Sequence, residues 1–353
     1  MKFKLGSKII DNRKQPYFIA EIGVNFENSL KRAKKIIKQA KEGGADAVKF
    51  QSYKAEKIAC KNSPYYWDLK KVSVKSQYEL FKKFDKFGFK EFKILKEFCD
   101  KLKIDFLSTP FDLDAVDYLS DLVPFFKIAS ADLNNYPLID KICKKNKPIV
   151  LSTGASKISE IKKTVNFIKK KNSKILTIIL HCVLSYPTNN NNAHLELIKV
   201  LKKNFSNNII GYSDHTMPDE SMMVLTSAYL NGASVIEKHF TDTKGLTGND
   251  HFHSLNKEDL IKFRSNINIL NSINKNLKER KILKCEKISR KNARRSIVTK
   301  GLIKKGEKIT IDKVIMKRPG TGLSPDKLRF ILNKKTSKDL QDDTIIKISD
   351  ILC

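Results

Sequence analysis

Residues Tyr17–Ser52 read YFIAEIGVNFENSLKRAKKIIKQAKEGGADAVKFQS and contain one complete strand–helix–strand unit. The apolar run Tyr17–Gly23 is typical of a buried strand, and Ser29–Glu42 has the apolar spacing of an amphipathic helix. The run Asp46–Ser52 then begins a second strand. A helix between two strands predicts that the strands are parallel.

The same alternation continues to about residue 273, with one long helix predicted over Gln77–Leu102. Six further strands are predicted, at Ile104–Pro110, Phe125–Ser130, Pro148–Gly154, Ile175–Cys182, Ile209–His215 and Val235–Thr241. Eight strand–helix units in about 270 residues match the size of a (β/α)8 barrel, or TIM barrel. A doubly wound sheet is the alternative, but the sequence has neither GxGxxG nor GxxxxGK[ST]. We therefore predict an α/β protein built on a TIM barrel.

Composition excludes several classes of protein. Hydrophobic residues make up 41% of the 353 residues, which is enough for a globular core. The longest apolar stretch, Ile175–Leu184, is far shorter than the roughly 20 residues of a membrane-spanning helix. The six cysteines form no CxxC motif and the first residues lack the apolar block of a secretory signal. We expect a cytoplasmic protein with no membrane association.

The net charge of +31 raises the question of nucleic-acid binding. Only 9 of the 69 basic residues are arginine, however, and none lies between Arg32 and Arg264. Because duplex binders usually carry a focused basic stripe with arginine at reading positions, a nucleic-acid-binding protein is the lesser alternative. The lysines are expected to solvate the surface and to attract anionic substrates.

Polar side chains end the predicted strands, and in a barrel these ends meet at one face, where barrel enzymes have their active sites. Lys49 and Lys127 would place two cations there. Hydroxyl groups would come from Thr109, Ser130, Ser152 and Ser213. Such a set suits a small anion that carries phosphate and carboxylate groups.

Two histidines, His215 and His239, end the seventh and eighth predicted strands. Two imidazoles near a carboxylate such as Glu21 suit a divalent transition metal. Either histidine alone could equally be a hydrogen-bonded core residue. The roles of His251 and His253, in the loop GNDHFH, stay open.

Eight motifs in order resemble the N-acetylneuraminate (sialic acid) synthase family. They are IAEIGVN (19–25), VKFQS (48–52), FLSTPF (106–111), KIASADLNNYPL (127–138), LSTGAS (151–156), LHCVLSYPT (180–188), IGYSDHT (210–216) and IEKHFT (236–241). The C-terminal segments ARRSIVTKGLIKKGEKIT (293–310) and MKRPGTGLSP (316–325) resemble that family's small β-rich antifreeze-like (SAF, β-clip) domain. The resemblance implies a barrel over 1–273, a basic linker over 274–292 and a SAF lid domain over 293–353.

The resemblance also implies an activity. Such enzymes condense phosphoenolpyruvate with an N-acylated amino sugar and water, giving a nine-carbon 2-keto sugar acid and phosphate. N-acetylmannosamine is the favoured acceptor here, and legionaminic or pseudaminic acid synthesis is the alternative. A divalent metal is expected, manganese first and magnesium or cobalt otherwise, in a homodimer with exchanged C-terminal domains.

Individual roles follow from the matched motifs. His215 and His239 match the metal ligands, and Glu21 and Asp132 match the catalytic carboxylates. The phosphoenolpyruvate pocket is matched by Lys49, Gln51, Thr109, Lys127, Ser130, Ser152 and Ser213. The sugar-binding groups are matched by Tyr186, Asp250 and Arg318, of which the last comes from the lid of the partner subunit.

Three positions depart from the family pattern. Asp132 replaces a common glutamate and is one methylene shorter. Phe26 stands where many members have a histidine, and Leu184 where many have asparagine. These departures bear on the identity of the sugar more than on the type of reaction.

Overall fold

The computed structural model describes residues 2–11, 14–70, 72–246, 248, 250–274 and 279–352. Its strands are β1 (Lys2–Leu5), β2 (Lys8–Asp11), β3 (Tyr17–Gly23), β4 (Ala47–Ser52), β5 (Asp105–Pro110), β6 (Phe126–Ile128), β7 (Ile149–Ser152), β8 (Thr177–Cys182), β9 (Ile209–Asp214), β10 (Val235–His239), β11 (Ser296–Thr299) and β12 (Val314–Lys317). Eight of them form one parallel sheet in the order β5-β4-β3-β10-β9-β8-β7-β6. Its end strands, β5 and β6, lie side by side and nearly close the sheet. The predicted TIM barrel is confirmed.

The helices are α1 (Leu30–Gly43), α2 (Ala55–Ile58), α3 (Gln77–Phe84), α4 (Phe89–Leu102), α5 (Leu113–Leu119), α6 (Tyr136–Cys143), α7 (Ile158–Lys171), α8 (Leu197–Asn204), α9 (Met223–Leu230), α10 (Lys257–Ile273), α11 (Glu286–Ala293) and α12 (Leu328–Ile331). The single helix predicted over Gln77–Leu102 is wrong, because the chain breaks there into α3 and α4. Gly88 precedes α4, and the Glu91 carboxylate accepts a hydrogen bond from the Gly88 backbone N–H at 2.9 Å. That bond caps a new helix start. Among the described residues, no helix is long and apolar enough to cross a membrane.

The first strand–helix–strand unit has local causes in its sequence. The Ser29 side chain accepts a hydrogen bond from the backbone of Arg32 and caps α1. The buried face of α1 is made by Ala33, Ile36, Ile37 and Ala40, which repeat at helical spacing. Gly44 ends the helix with φ +96°, a left-handed conformation that favours glycine. The chain then enters β4, which carries Lys49 towards the carboxyl ends of the strands.

Alternation along β9 and β10 sorts their polar residues into two groups. Glu237 pairs in register with Ser213, and Lys238 pairs with Asp214. Since neighbouring residues of a strand point to opposite faces, these two pairs lie on opposite sides of the sheet. Lys238 and Asp214 form a fully buried ion pair at 2.7 Å, away from the barrel interior. Glu237 therefore belongs to the interior group.

The chain divides into two compact units, Met1–Lys275 and Asn276–Cys353. In the second unit, β11 and β12 pair antiparallel over a small separate core. That core consists of Ile297, Ile303, Ile309, Val314, Ile331, Leu340, Ile346 and Ile351. The segment 274–292, predicted as a linker, contains most of α11, and its residues 275–278 lie outside the described part.

Candidate active site

Two lysines and two glutamates form a buried charged cluster at the carboxyl ends of the barrel strands. Lys49 on β4 forms an ion pair with Glu21 on β3 and donates a hydrogen bond to the Thr109 hydroxyl at 3.0 Å. The Glu237 Oε1 atom lies 3.5 Å from Lys127 Nζ and 3.9 Å from Lys49 Nζ. All four charged side chains are at least 93% buried. When all four groups are ionised, the two negative carboxylates balance the charge of the two ammonium groups.

The two carboxylates of this cluster differ in acidity. Burial raises the pKa of Glu21 to about 7, although neighbouring Lys49 favours its ionised form. Burial also opposes ionisation of Glu237, but Lys127 and Lys49 outweigh it and hold the pKa of that carboxyl below its usual value. Glu21 can therefore gain or lose a proton near neutral pH, as a general acid or base must. Glu237 stays ionised and holds the lysines.

The predicted polar residues around the cluster have different partners. Gln51 donates to Glu21 at 3.1 Å, and Ser213 donates to Glu237 at 3.2 Å. Ser130 accepts a hydrogen bond from the Gly154 backbone N–H at 2.9 Å. The buried Ser152 hydroxyl has no partner among the described residues. Ser152 is thus free to bind a ligand.

Three imidazoles and a tyrosine lie together beside the charged cluster. The ring centroids of His215 and His239 are 5.6 Å apart, and those of His239 and His253 are 4.9 Å apart. Tyr186 packs on His215 with its ring centroid 4.2 Å away. Asp250 completes the group, with Oδ2 at 3.5 Å from His239 Nδ1. The structure thus brings both predicted metal ligands and both predicted sugar-binding barrel residues to one place.

The donor set of this group fits a divalent cation. Burial and neighbouring positive groups hold the pKa values of His239 and His253 well below the usual range, which leaves neutral imidazoles with lone pairs. His215 Nδ1 lies 2.8 Å from the Val183 carbonyl oxygen. A carbonyl only accepts, so that nitrogen carries the proton and Nε2 is left as the donor atom. Mixed imidazole and carboxylate donors suit manganese, iron, cobalt or zinc.

Two further predicted residues are Asp132 and Arg318. Asp132 is half-buried on a short 3₁₀ turn, where its Oδ1 accepts a hydrogen bond from Asn135 at 3.0 Å. Burial raises the pKa of Asp132. Arg318 lies in the second compact unit, exposed and directly after β12. Of the two predicted catalytic carboxylates, Glu21 forms an ion pair within the charged cluster. Asp132 forms none there, although Lys127 is near enough to favour its ionised form.

A cavity of about 190 Å³ adjoins the histidines. Its polar lining includes Gln51, Ser130, Tyr186, His239 and Asp250, and its apolar lining includes Ile58, Trp67, Val72, Leu80, Phe81 and Phe84. The indole N–H of Trp67 donates to the Val72 and Val74 carbonyls at 3.1 and 2.9 Å. That N–H is already bonded, so these apolar residues offer a ligand no free hydrogen-bonding group. The lining also includes Tyr53 and Tyr66, which each carry a hydroxyl group.

Two of the departures from the family pattern have a clear structural setting. Phe26 is buried in the core, where its ring packs against Phe50 and Phe87 at centroid distances of 5.4 and 4.6 Å. Leu184 lines the cavity and places an apolar side chain there. Leu184 is therefore the departure that lies in the wall of this cavity.

Comparison with known proteins gives the family. The model of the NeuB family matches residues 36–279, and that of the SAF domain matches residues 294–352. The chain belongs to the NeuB family. An uncharacterised protein of Methanocaldococcus jannaschii is 40% identical, over 99% of each chain. The N,N'-diacetyllegionaminic acid synthase of Campylobacter jejuni is 38% identical, over 95% of this chain and 99% of its own.

A solved structure of the same family confirms the fold. The N-acetylneuraminic acid synthetase of Leptospira borgpetersenii, crystallised with citrate, is 32% identical. It superposes with a TM-score of 0.69 over 82% of this chain and 95% of its own. Relatives of this NeuB-family chain thus include synthases of more than one sugar acid.

Sequence reasoning missed three features of the site. Glu237 has no assigned role in the sequence analysis, although its place in VIEKH, two residues before His239, puts it on the interior face. The sequence does not settle the role of His253, because loop residues have no periodicity. Tyr66 and Trp67 lie in a segment without regular structure, where only their aromatic character was a signal.

Proposed function

We propose that this NeuB-family chain condenses phosphoenolpyruvate with an N-acylated amino sugar and water, releasing phosphate and a nine-carbon 2-keto sugar acid. The observation that carries the proposal is the buried cluster of Lys49, Lys127, Glu21 and Glu237 beside three histidines. Two buried lysines suit a ligand with both a phosphate and a carboxylate group. No such cluster is needed to hold a barrel together.

In this proposal the residues of the cluster bind and orient phosphoenolpyruvate. Lys49 and Lys127 hold its negative groups, and the free hydroxyl of Ser152 with that of Ser130 orients it. Carbon 3 attacks the aldehyde carbon of the sugar, water adds at carbon 2, and the carbon–oxygen bond to phosphate breaks. Glu21, whose pKa is raised by burial to about 7, carries the proton in these steps.

A divalent cation, manganese by preference, is part of the same proposal. His215 and His239 would hold it, with Asp250 close by. When bound it would supply Lewis-acid polarisation of the sugar's carbonyl oxygen. Tyr186 packs against His215 and His239 and keeps their rings in place.

For the acceptor we propose a 6-deoxy diacetamido sugar in preference to N-acetylmannosamine, which the sequence favoured. The supporting observation is the apolar part of the cavity wall, formed by residues such as Trp67, Val72 and Phe84. A methyl group and an acyl methyl are desolvated there at little cost, whereas a hydroxymethyl group loses its hydrogen bonds to water. The C. jejuni relative is named an N,N'-diacetyllegionaminic acid synthase, which agrees with the two acetyl groups of this choice.

Phosphate release from phosphoenolpyruvate tests the proposal. With manganese present, release is expected only when an acceptor is added, and kcat/KM is expected to be about 10–100-fold higher for the 6-deoxy diacetamido sugar than for N-acetylmannosamine. Equal or reversed preference would overturn the choice of acceptor. Absence of release with every N-acylated sugar would overturn the reaction itself.

Val72→Thr is expected to narrow this preference about tenfold, because it places a hydroxyl on the apolar wall without changing the shape of the side chain. The ratio of kcat/KM values for the two acceptors is the measurement. Val200→Thr, the same change at an exposed position on α8, is the matched control and should leave the ratio unchanged. A ratio unaltered by Val72→Thr would mean that this wall does not meet the acceptor.

We also propose the homodimer with exchanged C-terminal domains, in which Arg318 of one chain reaches the sugar of the other. The exposed position of Arg318 supports it. Mixing Arg318→Ala chains with Lys127→Met chains tests it, since a mixed dimer would contain one intact site. Activity that stays absent after mixing would contradict the exchange.

A further inference from the structure

His253 is a fully buried histidine whose two ring nitrogens both lack a hydrogen-bond partner within the described part of the chain. His239 is also buried, and its Nδ1 has no hydrogen-bond partner in the same described part of the chain. Buried polar groups in proteins nearly always have partners, and each exception calls for an explanation. Two such histidines side by side indicate a shared ligand.

Asp250 lies between these two imidazoles. Its Oδ2 is 3.5 Å from His239 Nδ1, and its Oδ1 is 3.7 Å from His253 Nε2. Ligand atoms of the three residues all lie within 4.8 Å of one another. These separations are longer than good hydrogen bonds. The two Asp250–histidine distances are closer to the roughly 3.0–3.4 Å between neighbouring ligand atoms around an ion with bonds of about 2.1 Å.

We infer that His253 is a direct ligand of a divalent transition-metal ion, which it binds together with His239 and Asp250. Two imidazoles and one carboxylate form a set that suits Mn²⁺, Fe²⁺ or Co²⁺ and leaves coordination positions open. The family resemblance assigns only His215 and His239 as ligands. His215, proposed above as a ligand of the same ion, lies next to this set, with its ring centroid 5.6 Å from that of His239.

The alternative is that His253 only fills space. Its ring packs against those of Tyr186 and Phe252, with centroid distances of 5.9 and 4.7 Å. In that case an apolar ring would serve as well as an imidazole, and metal binding would not depend on residue 253. The two readings therefore differ in what His253→Phe does to metal affinity.

The experiment uses the full chain freed of metal, titrated with Mn²⁺ by calorimetry and with Co²⁺ by visible absorption. His253→Phe is expected to lower both affinities by at least the 10–100-fold that loss of an outer-shell partner costs. It is also expected to alter the Co²⁺ spectrum while leaving the melting temperature of the metal-free protein unchanged or higher. His253→Asp, which restores a ligand atom, should recover binding with a different spectrum.

His181→Phe is the crossed control. His181 is another buried histidine at a strand end, but its Nε2 is bonded to the Ala193 carbonyl at 2.8 Å. This change should lower the melting temperature and leave metal affinity unchanged. Wild-type affinity and spectrum in His253→Phe, or failure of the wild-type chain to bind either ion, would overturn the inference.

Only the chemical role of the ion rests on the proposed function. Its binding does not, because binding is measured without phosphoenolpyruvate or sugar. If metal binding depends on His253 but the chain never releases phosphate, the metal site is supported and the proposed reaction is contradicted. If a His253→Phe chain releases phosphate and binds metal with unchanged affinity, the reaction is supported and His253 is not a metal ligand.

Discussion

Replacing Lys127 with methionine is expected to lower kcat/KM for phosphoenolpyruvate by about 10²–10³-fold. Lys127 is a buried cation whose carboxylate partner, Glu237, also lies near Lys49. Methionine keeps much of the side-chain volume but offers the anionic substrate no charge. Steady-state kinetics at saturating acceptor give the ratio directly.

The same change also leaves Glu237 with one distant lysine. Loss of one partner from a buried ion pair costs about 3–5 kcal/mol of unfolding free energy. Adding Glu237→Gln should restore much of the stability but none of the activity, which separates binding from folding. Lys147→Met is the matched control, because Lys147 is bonded to backbone carbonyls near the opposite, amino end of β7. Near-wild-type kcat/KM in folded Lys127→Met would contradict the assignment.

Phosphoenolpyruvate is expected to bind more tightly as the pH falls towards 7, and Glu21→Gln is expected to remove this dependence. The pKa of Glu21 is raised by burial to about 7. A bound anion raises it further, so binding takes up a proton, and affinity weakens by up to about tenfold per pH unit above 7. The phosphate group's own second pKa, near 6, contributes little in that range.

Dissociation constants measured across this range, with proton uptake from calorimetry in two buffers, check the effect. Glu21→Gln should also lower kcat by about 10²–10⁴-fold, the contribution of a general acid or base. Asp117→Asn is the comparison, since the Asp117 carboxylate pairs with Lys141 and Lys145 outside the charged cluster and its loss should leave the pH dependence of binding intact. Affinity that does not change with pH in the wild-type chain would remove Glu21 from this role.

The barrel is predictable from sequence because its strands are short β-branched runs buried on both sides. Tyr17–Gly23 was predicted at the residues where β3 is found, and the other strands differ by a few residues at their ends. The break before α4 was missed because the apolar spacing continues through it and only Gly88 marks the new start. The N-terminal hairpin of β1 and β2 was missed because its alternation is short and rich in lysine.

The site is predictable as far as it follows strand ends. Side chains at the carboxyl ends of parallel strands meet at one face of the barrel. The positions of the predicted strands were therefore enough to bring together Lys49, Lys127, His215 and His239. The ion-pair partners of these residues could not be predicted, because the oxygen that each lysine faces depends on strand register and side-chain geometry. Glu237 lies near both lysines because segments distant in sequence pack together. His253 approaches Asp250 because of the way a loop packs.

The most direct test of the central claim follows the bridging oxygen of phosphoenolpyruvate, the atom between carbon 2 and phosphorus. This oxygen is labelled with ¹⁸O, and the enzyme is supplied with manganese and a 6-deoxy diacetamido sugar. Mass spectrometry of the phosphate and of the sugar acid is the measurement. We expect one labelled phosphate for every sugar acid formed, because the carbon–oxygen bond breaks. Unlabelled phosphate, with the label kept in pyruvate and no sugar acid formed, would contradict the account.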